Sequence, residues 1–120
     1  MHKIMVVDDA GFMRMTIKNH LTKAGYTNFV EGEDGAQAVE LYKTEKPDLV
    51  IMDITMPNMN GIEALRAITS SDPAAKVIMC SAMGQESMVM ESITLGALDF
   101  IVKPFKQERI VQTVGKVLPI

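Results

Sequence analysis

The chain has 120 residues, 48% of them hydrophobic and 22% charged, with a formal net charge of −3. That length and balance suit one domain with one sizeable core. A lone cysteine excludes an intrachain disulfide, and mild acidity without a basic run gives no electrostatic basis for binding nucleic acid.

Short β-branched runs alternate with helical patterns along the whole chain. Met1-His2-Lys3 lead, without a signal-peptide layout, into a first apolar run at Ile4–Val7. Met13, Ile17, Leu21 and Ala24 then recur at helical spacing until Gly25 stops them. His20 falls on the apolar side of this helix as a half-buried structural histidine. Neither it nor His2 has the company that a metal-binding histidine needs. The second run, Asn28–Glu31, is more polar and is expected at a sheet edge. Ala38, Leu41 and Tyr42 mark a second helix that ends before Pro47. Leu49–Met52 is the third run. Ile62, Leu65 and Ile68 mark a third helix, ended near Asp72-Pro73. Val77–Cys80 is the fourth run, and its Cys80 reads as a buried, inert thiol. Gln85–Leu95 forms a fourth helix with Gly96 as its stop. Leu98–Val102 is the fifth run, and Ile110, Val111, Val114 and Leu118 mark a last helix closed by Pro119. All the runs but the second are almost continuously apolar, as strands buried on both faces are. No stretch approaches the ~18 apolar residues of a membrane span, and the cytoplasm is the expected compartment.

Five strand–helix units in alternation predict an α/β protein with a parallel sheet and helices on both faces. The natural choice at this size is a flavodoxin-like (βα)5 three-layer sandwich with strand order 2-1-3-4-5. In such a sheet, chemistry gathers at the carboxyl ends of the strands, beside the point where the strand order reverses. The first run ends in Asp8-Asp9, the third in Asp53, the fourth in Ser81-Ala82 and the fifth in Lys103-Pro104. Crowded carboxylates resist full ionisation unless a divalent cation joins them. Ligands that are all oxygen point to Mg²⁺, with Mn²⁺ as its substitute, rather than Zn²⁺. A lysine beside the cluster is costly for a plain metal cage but fits an arriving phosphoryl oxygen. Asp53 is therefore read as a nucleophile that forms an acyl phosphate. Asp9 and Asp53 would hold Mg²⁺, with Asp8 acting through water, while Lys103 and the Ser81 hydroxyl meet phosphoryl oxygens. Singly, each residue has a blander reading: Asp8-Asp9 as a cap, Ser81 as a loop hydroxyl, Lys103 as a solvated charge. Their coincidence at strand ends carries the chemical one.

Four motifs in order carry a family resemblance: Val6-Val7-Asp8-Asp9, Asp53 through Gly61, Cys80-Ser81-Ala82, and Phe100 through Phe105. At these spacings the chain resembles the response-regulator receiver domains of bacterial two-component signalling over its whole length. Ala10 through Met15, Met52 through Gly61 and Cys80 through Gln85 are most similar to the chemotaxis branch found in Gram-positive and deep-branching bacteria. The resemblance implies a single receiver domain over residues 1–120. It implies phosphorylation of Asp53 by a histidine kinase, of the CheA type in that branch. Asp8, Asp9, Asp53 and the Thr55 carbonyl would hold Mg²⁺, Lys103 would contact the phosphoryl group, and the Lys103–Pro104 bond would be cis. Ser81 and Phe100 would form a switch pair. Phe100, lacking a tyrosine hydroxyl, can turn inward without a polar partner. The output it implies is binding by a monomer rather than multiple-turnover catalysis. The fourth helix, fifth strand and fifth helix would meet the flagellar motor switch or another protein target. A phosphatase is a further expected partner; nucleic acid and membrane are not.

Two features go beyond that pattern. Thr55 and Met83 occupy the positions that tune phosphate lifetime in the family. Met83 cannot orient an attacking water, so slow self-dephosphorylation is expected. Among eleven methionines, Met88 and Met90 stand with Val89, Ile93 and Leu95 on more than one face of the fourth helix. Met88, Val89, Met90 and Ile93 are therefore expected to form a partner surface. Competing readings are a phosphorelay or stress regulator without a flagellar target, and a receiver fragment of a DNA-binding regulator, which the linker-free Pro119-Ile120 ending opposes weakly. A haloacid-dehalogenase-type phosphatase would need a second aspartate at position 55, where Thr55 stands. A flavodoxin-like electron carrier would face repulsion between acidic strand ends and the flavin phosphate, and has no tryptophan to stack the ring.

Overall fold

The structure is a computed structural model and describes residues 2–119. Strands and helices alternate: β1 (Lys3–Val7), α1 (Gly11–Lys23), β2 (Asn28–Gly32), α2 (Gly35–Glu45), β3 (Leu49–Asp53), α3 (Gly61–Ser71), β4 (Val77–Ser81), α4 (Glu86–Thr94), β5 (Asp99–Val102) and α5 (Gln107–Val117). The strands form one parallel sheet in the order β2-β1-β3-β4-β5, the flavodoxin-like arrangement expected from the sequence.

The period-2 alternation of a strand divides the apolar runs between two cores. Met5, Val7, Val50, Met52, Val77 and Met79 pack on one face with Ala38 of α2, Leu65 and Ile68 of α3, and Val89 of α4. Ile4, Val6, Leu49, Ile51, Ile78, Cys80 and Ile101 pack on the other with Ile17 and Leu21 of α1 and Ile110 and Val114 of α5. Cover on both faces is why β1, β3 and β4 read as unbroken apolar runs. β2 is the edge strand its polarity announces. The fifth run is a correction. It starts at Asp99 rather than Leu98 and forms the other edge, where only Ile101 is fully buried and Leu98 is exposed. An apolar run reports hydrophobicity, but the strand order decides which runs have neighbours on both sides.

Local signals end the helices where expected. Gly25 and Gly96 take φ of 106° and 110° just beyond α1 and α4, and Lys46 closes α2 in the left-handed region before Pro47. At the start of α3, Asn60 accepts from the Glu63 N–H while the Glu63 side chain accepts from the Asn60 N–H, a reciprocal cap. Within the described residues no helix is long and apolar enough to cross a membrane.

Ladder bonds continue one residue past the strands. Asp8 N–H donates to the Gly32 carbonyl at 3.1 Å, Ile54 N–H to Cys80 at 3.0 Å, and Lys103 N–H to Ser81 at 2.7 Å. The sheet therefore delivers Asp8, Asp53, Ser81 and Lys103 to one rim, centred where β1 and β3 adjoin and the order reverses.

Candidate functional site

Lys103 organises the rim. Its Nζ lies 2.8 Å from Asp8 Oδ2 and 3.3 Å from Asp53 Oδ2, joining the ends of β1, β3 and β5. The remaining Asp8 oxygen, Oδ1, accepts from the Ala10 N–H at 2.9 Å. Both oxygens of Asp8 are thus engaged, and its side chain is buried. Asp9, next along the chain, is exposed. The predicted Lys103–Pro104 cis bond is present. Below the acceptor, Gly61 N–H donates to the Ile54 carbonyl at 2.7 Å, and a Cβ at Gly61 would collide with the Asp53 carbonyl oxygen. Only glycine lets α3 start so close beneath the acceptor.

Burial sets the electrostatics. It raises the Asp53 carboxyl above its ordinary value; the Lys103 charge opposes this and the Asp8 charge adds to it. Burial also works against the Lys103 ammonium, but its hydrogen bond to Asp8 and the charges of Asp53 and Asp8 outweigh that and raise its pKa. Cys80, paired in register with Asp53, is pushed up to about 12 by burial and stays a thiol. The sequence expectation of an inert cysteine holds.

Asp8, Asp9 and Asp53 each bring one carboxylate oxygen within 4.8 Å of the others. A donor set of carboxylate oxygens, with a thiol in place of any thiolate nearby, fits a hard cation such as Mg²⁺. These are the residues that could hold it.

Residues 4–115 match the family model of the response regulator receiver domain. The chain belongs to the response-regulator receiver family. It is 57% identical over 117 residues to the chemotaxis protein CheY of Bacillus subtilis, covering 98% of each chain. It is also 54% identical over 118 residues to protein CcdB of the same organism, again covering 98% of each. Among solved structures it is similar to a CheX-CheY-BeF3-Mg complex from Borrelia burgdorferi, with a TM-score of 0.92, 36% identity, and coverage of 99% of this chain and 90% of that one. Receiver domains bind Mg²⁺ at an acidic pocket, and this chain has an acidic cluster in Asp8, Asp9 and Asp53.

The switch-pair candidates of this receiver share a cleft. Ser81 is buried at the end of β4, and Phe100 is half-buried on β5. Both line an apolar cleft of about 470 Å³ with Val89, Met90, Ile93 and Val102. The expected partner surface needs one correction. Met88, Met90 and Ile93 are exposed, but Val89 is only 7% exposed and floors the cleft. The buried stripe of α4 is Val89 and Ser92, three residues apart. Ser92 buries because its hydroxyl donates to the Met88 carbonyl at 2.9 Å. A serine in the core stripe hid which face of α4 packs inward. His20 is half-buried against Phe105, with ring centroids 6.3 Å apart, as expected.

Two residues of the site were given no role by the sequence. Arg14 of α1 donates from Nη1 to the Asp8 carbonyl at 2.6 Å and from Nε to Glu31 Oε1 at 2.9 Å, bracing the end of β1 against β2. Gln85 bridges the two loops beside Asp53: its Nε2 donates to Thr55 Oγ1 at 2.8 Å, and its Oε1 accepts from the Ala82 N–H at 2.6 Å. Both fall inside segments that carry the resemblance, Ala10 through Met15 and Cys80 through Gln85, but no residue type or spacing there marks what their side chains hold. Met83 is 79% exposed in the same β4–α4 loop.

Proposed function

We propose that this receiver, acting as a single module over residues 1–120, accepts a phosphoryl group on Asp53 from a histidine kinase. The observation that carries this reading is the sharing of one ammonium by two buried carboxylates, 2.8 Å from Asp8 and 3.3 Å from Asp53. An ion pair serving stability alone needs one carboxylate. A second one, buried beside the same ammonium at the sheet's rim, is arranged to receive something. The Asp53 oxygen attacks the phosphorus, and the kinase imidazole leaves with the electron pair of the P–N bond. Asp9, Asp53 and the Thr55 carbonyl would hold Mg²⁺, with Asp8 acting through water, and the bound cation would supply positive charge beside the transferring group. Lys103 turns from Asp8 to a phosphoryl oxygen. The Ser81 hydroxyl donates to another, and the room it leaves is filled by the Phe100 ring.

That movement reshapes the cleft and the α4-β5-α5 face, where Met88, Met90 and Ile93 are exposed. The target of this monomer is a protein, and the 57% identity to a CheY supports the flagellar motor switch, with a CheA-type kinase upstream and a phosphatase resetting the site. Nearly equal identity to CcdB, 54%, supports a second reading, a regulator with another target. A mass measurement after incubation with acetyl phosphate and Mg²⁺ tests the phosphoacceptor. The wild type should gain one phosphoryl group and Asp53→Asn none; equal gain by both would refute the assignment. Binding of the phosphorylated form to a motor switch protein separates the two targets.

A further inference from the structure

Gln85 ties together the loops that follow β3 and β4, beside the proposed phosphorylation site. The direction of the Ala82 N–H shows what it covers. In β4 the Cys80 carbonyl faces β3, because it accepts from the Ile54 N–H at 3.0 Å, while the Ser81 carbonyl faces β5, because it accepts from Lys103 at 2.7 Å. Two residues on from Cys80, Ala82 again directs its N–H toward β3. There β3 has ended at Asp53, and the Ile54 carbonyl, the next acceptor on the ladder, is taken by the Gly61 N–H at 2.7 Å. Ala82 is thus a donor aimed at the rim above the acceptor and left without a ladder partner. Gly84, at φ 90°, turns the loop back so that Gln85 Oε1 supplies the missing acceptor at 2.6 Å. The other end of the same amide holds Thr55, two residues after Asp53, at 2.8 Å. Gln85 is also the residue from which α4 starts.

We infer that Gln85 is a latch that competes with the phosphoryl group for the Ala82 N–H, holding the receiver in its unphosphorylated state. A phosphoryl group on Asp53 presents anionic oxygens to that donor, a stronger acceptor than a neutral amide. Taking the N–H displaces Gln85, which then also leaves Thr55, and the first turn of α4 is untied from the loop after the acceptor. Gln85 acts through Ala82 and Thr55, so it is a positioning residue. Its release links the phosphate to α4 by a route separate from Ser81 and Phe100. This inference rests on the phosphoacceptor reading.

The test uses beryllofluoride with Mg²⁺ as the phosphoryl mimic. First, titration of the wild type must show binding that Asp53→Asn abolishes; its failure would remove the phosphoacceptor reading and the latch together. Given that binding, Gln85→Met keeps the length of the side chain and removes both hydrogen bonds. It should bind beryllofluoride about two- to tenfold more tightly, the range of one net hydrogen bond. Thr55→Val, which removes only the second contact, should shift affinity the same way by less. A second readout needs no variant. In wild-type NMR spectra the Gln85 side-chain amide and the Ala82 N–H should both shift on saturation, as the two lose each other. Unchanged or weaker binding by Gln85→Met, or a Gln85 amide unmoved by saturation, would overturn the latch even though Asp53 binds the mimic.

Discussion

Replacing Lys103 by methionine removes the one cation between two buried carboxylates. At 2.8 and 3.3 Å, each pairing has a gross attraction of roughly 5–6 kcal/mol at an effective dielectric near 20. Burial of the charges offsets much of this, and breaking such a pair from one side destabilises by about 3–5 kcal/mol. Proton uptake by Asp53 gives a partial escape, so we expect about 3 kcal/mol at pH 7.5 without metal, or a fall in Tm of about 10–15 °C. The pH dependence follows from Asp53. Its pKa is raised in the fold, so the native state takes up its proton more readily than the unfolded chain. Its contribution to stability is greatest when it is protonated and falls as pH rises from the ordinary carboxylate pKa through the raised one. Loss of Lys103 lifts that pKa further, so the deficit should shrink as pH falls through the same window. Mg²⁺ should restore more stability to Lys103→Met than it adds to the wild type, because it no longer competes with the ammonium. Urea unfolding at pH 5.5 and 7.5, with and without Mg²⁺, measures all three. A metal-free loss under about 1 kcal/mol, or a Mg²⁺ increment no larger than that of the wild type, would refute this account of the rim.

Four other changes have definite signs. Asp53→Asn removes a desolvated charge, so without metal it should stabilise the fold by about 1 kcal/mol in chemical denaturation and lose most of the Mg²⁺ increment. Gly61→Ala forces a Cβ against the Asp53 carbonyl and should destabilise by about 2–3 kcal/mol; slower phosphorylation by acetyl phosphate should accompany the loss of Tm. Met83→Glu places a carboxylate in the exposed β4–α4 loop and should shorten the phosphoprotein's lifetime a few-fold, well below the ~10²-fold of a positioned general base; an unchanged decay rate counts against a role for Met83. Phe100→Ala should uncouple phosphorylation from target binding while leaving acetyl-phosphate labelling intact, and normal affinity of the labelled variant for its target would exclude the ring from the switch.

The sequence by itself determined the strand–helix alternation, the residues that end each strand, and the helix stops at Gly25 and Gly96. These are local properties: an apolar run, a change of hydrophobic period, a glycine able to take positive φ. It also placed Asp8, Asp53, Ser81 and Lys103 at strand ends, which in a parallel sheet all point the same way. What it could not give was who touches whom. Lys103 rests on Asp8, 95 residues earlier, because the sheet order sets β1 and β3 between β2 and β4 and brings β5 to the margin. The same order exposed Leu98 and made an apolar fifth run an edge strand. Val89 went inward and Met90 outward because α4 rotates its Val89–Ser92 stripe onto the sheet, and a serine with a backbone acceptor can be buried there. Arg14 and Gln85 gained their roles only when α1 met β2 and the β4–α4 loop folded back. Their side chains act through single hydrogen bonds to backbone and neighbouring side chains, which leave no period in the sequence and exist only once the strands are side by side.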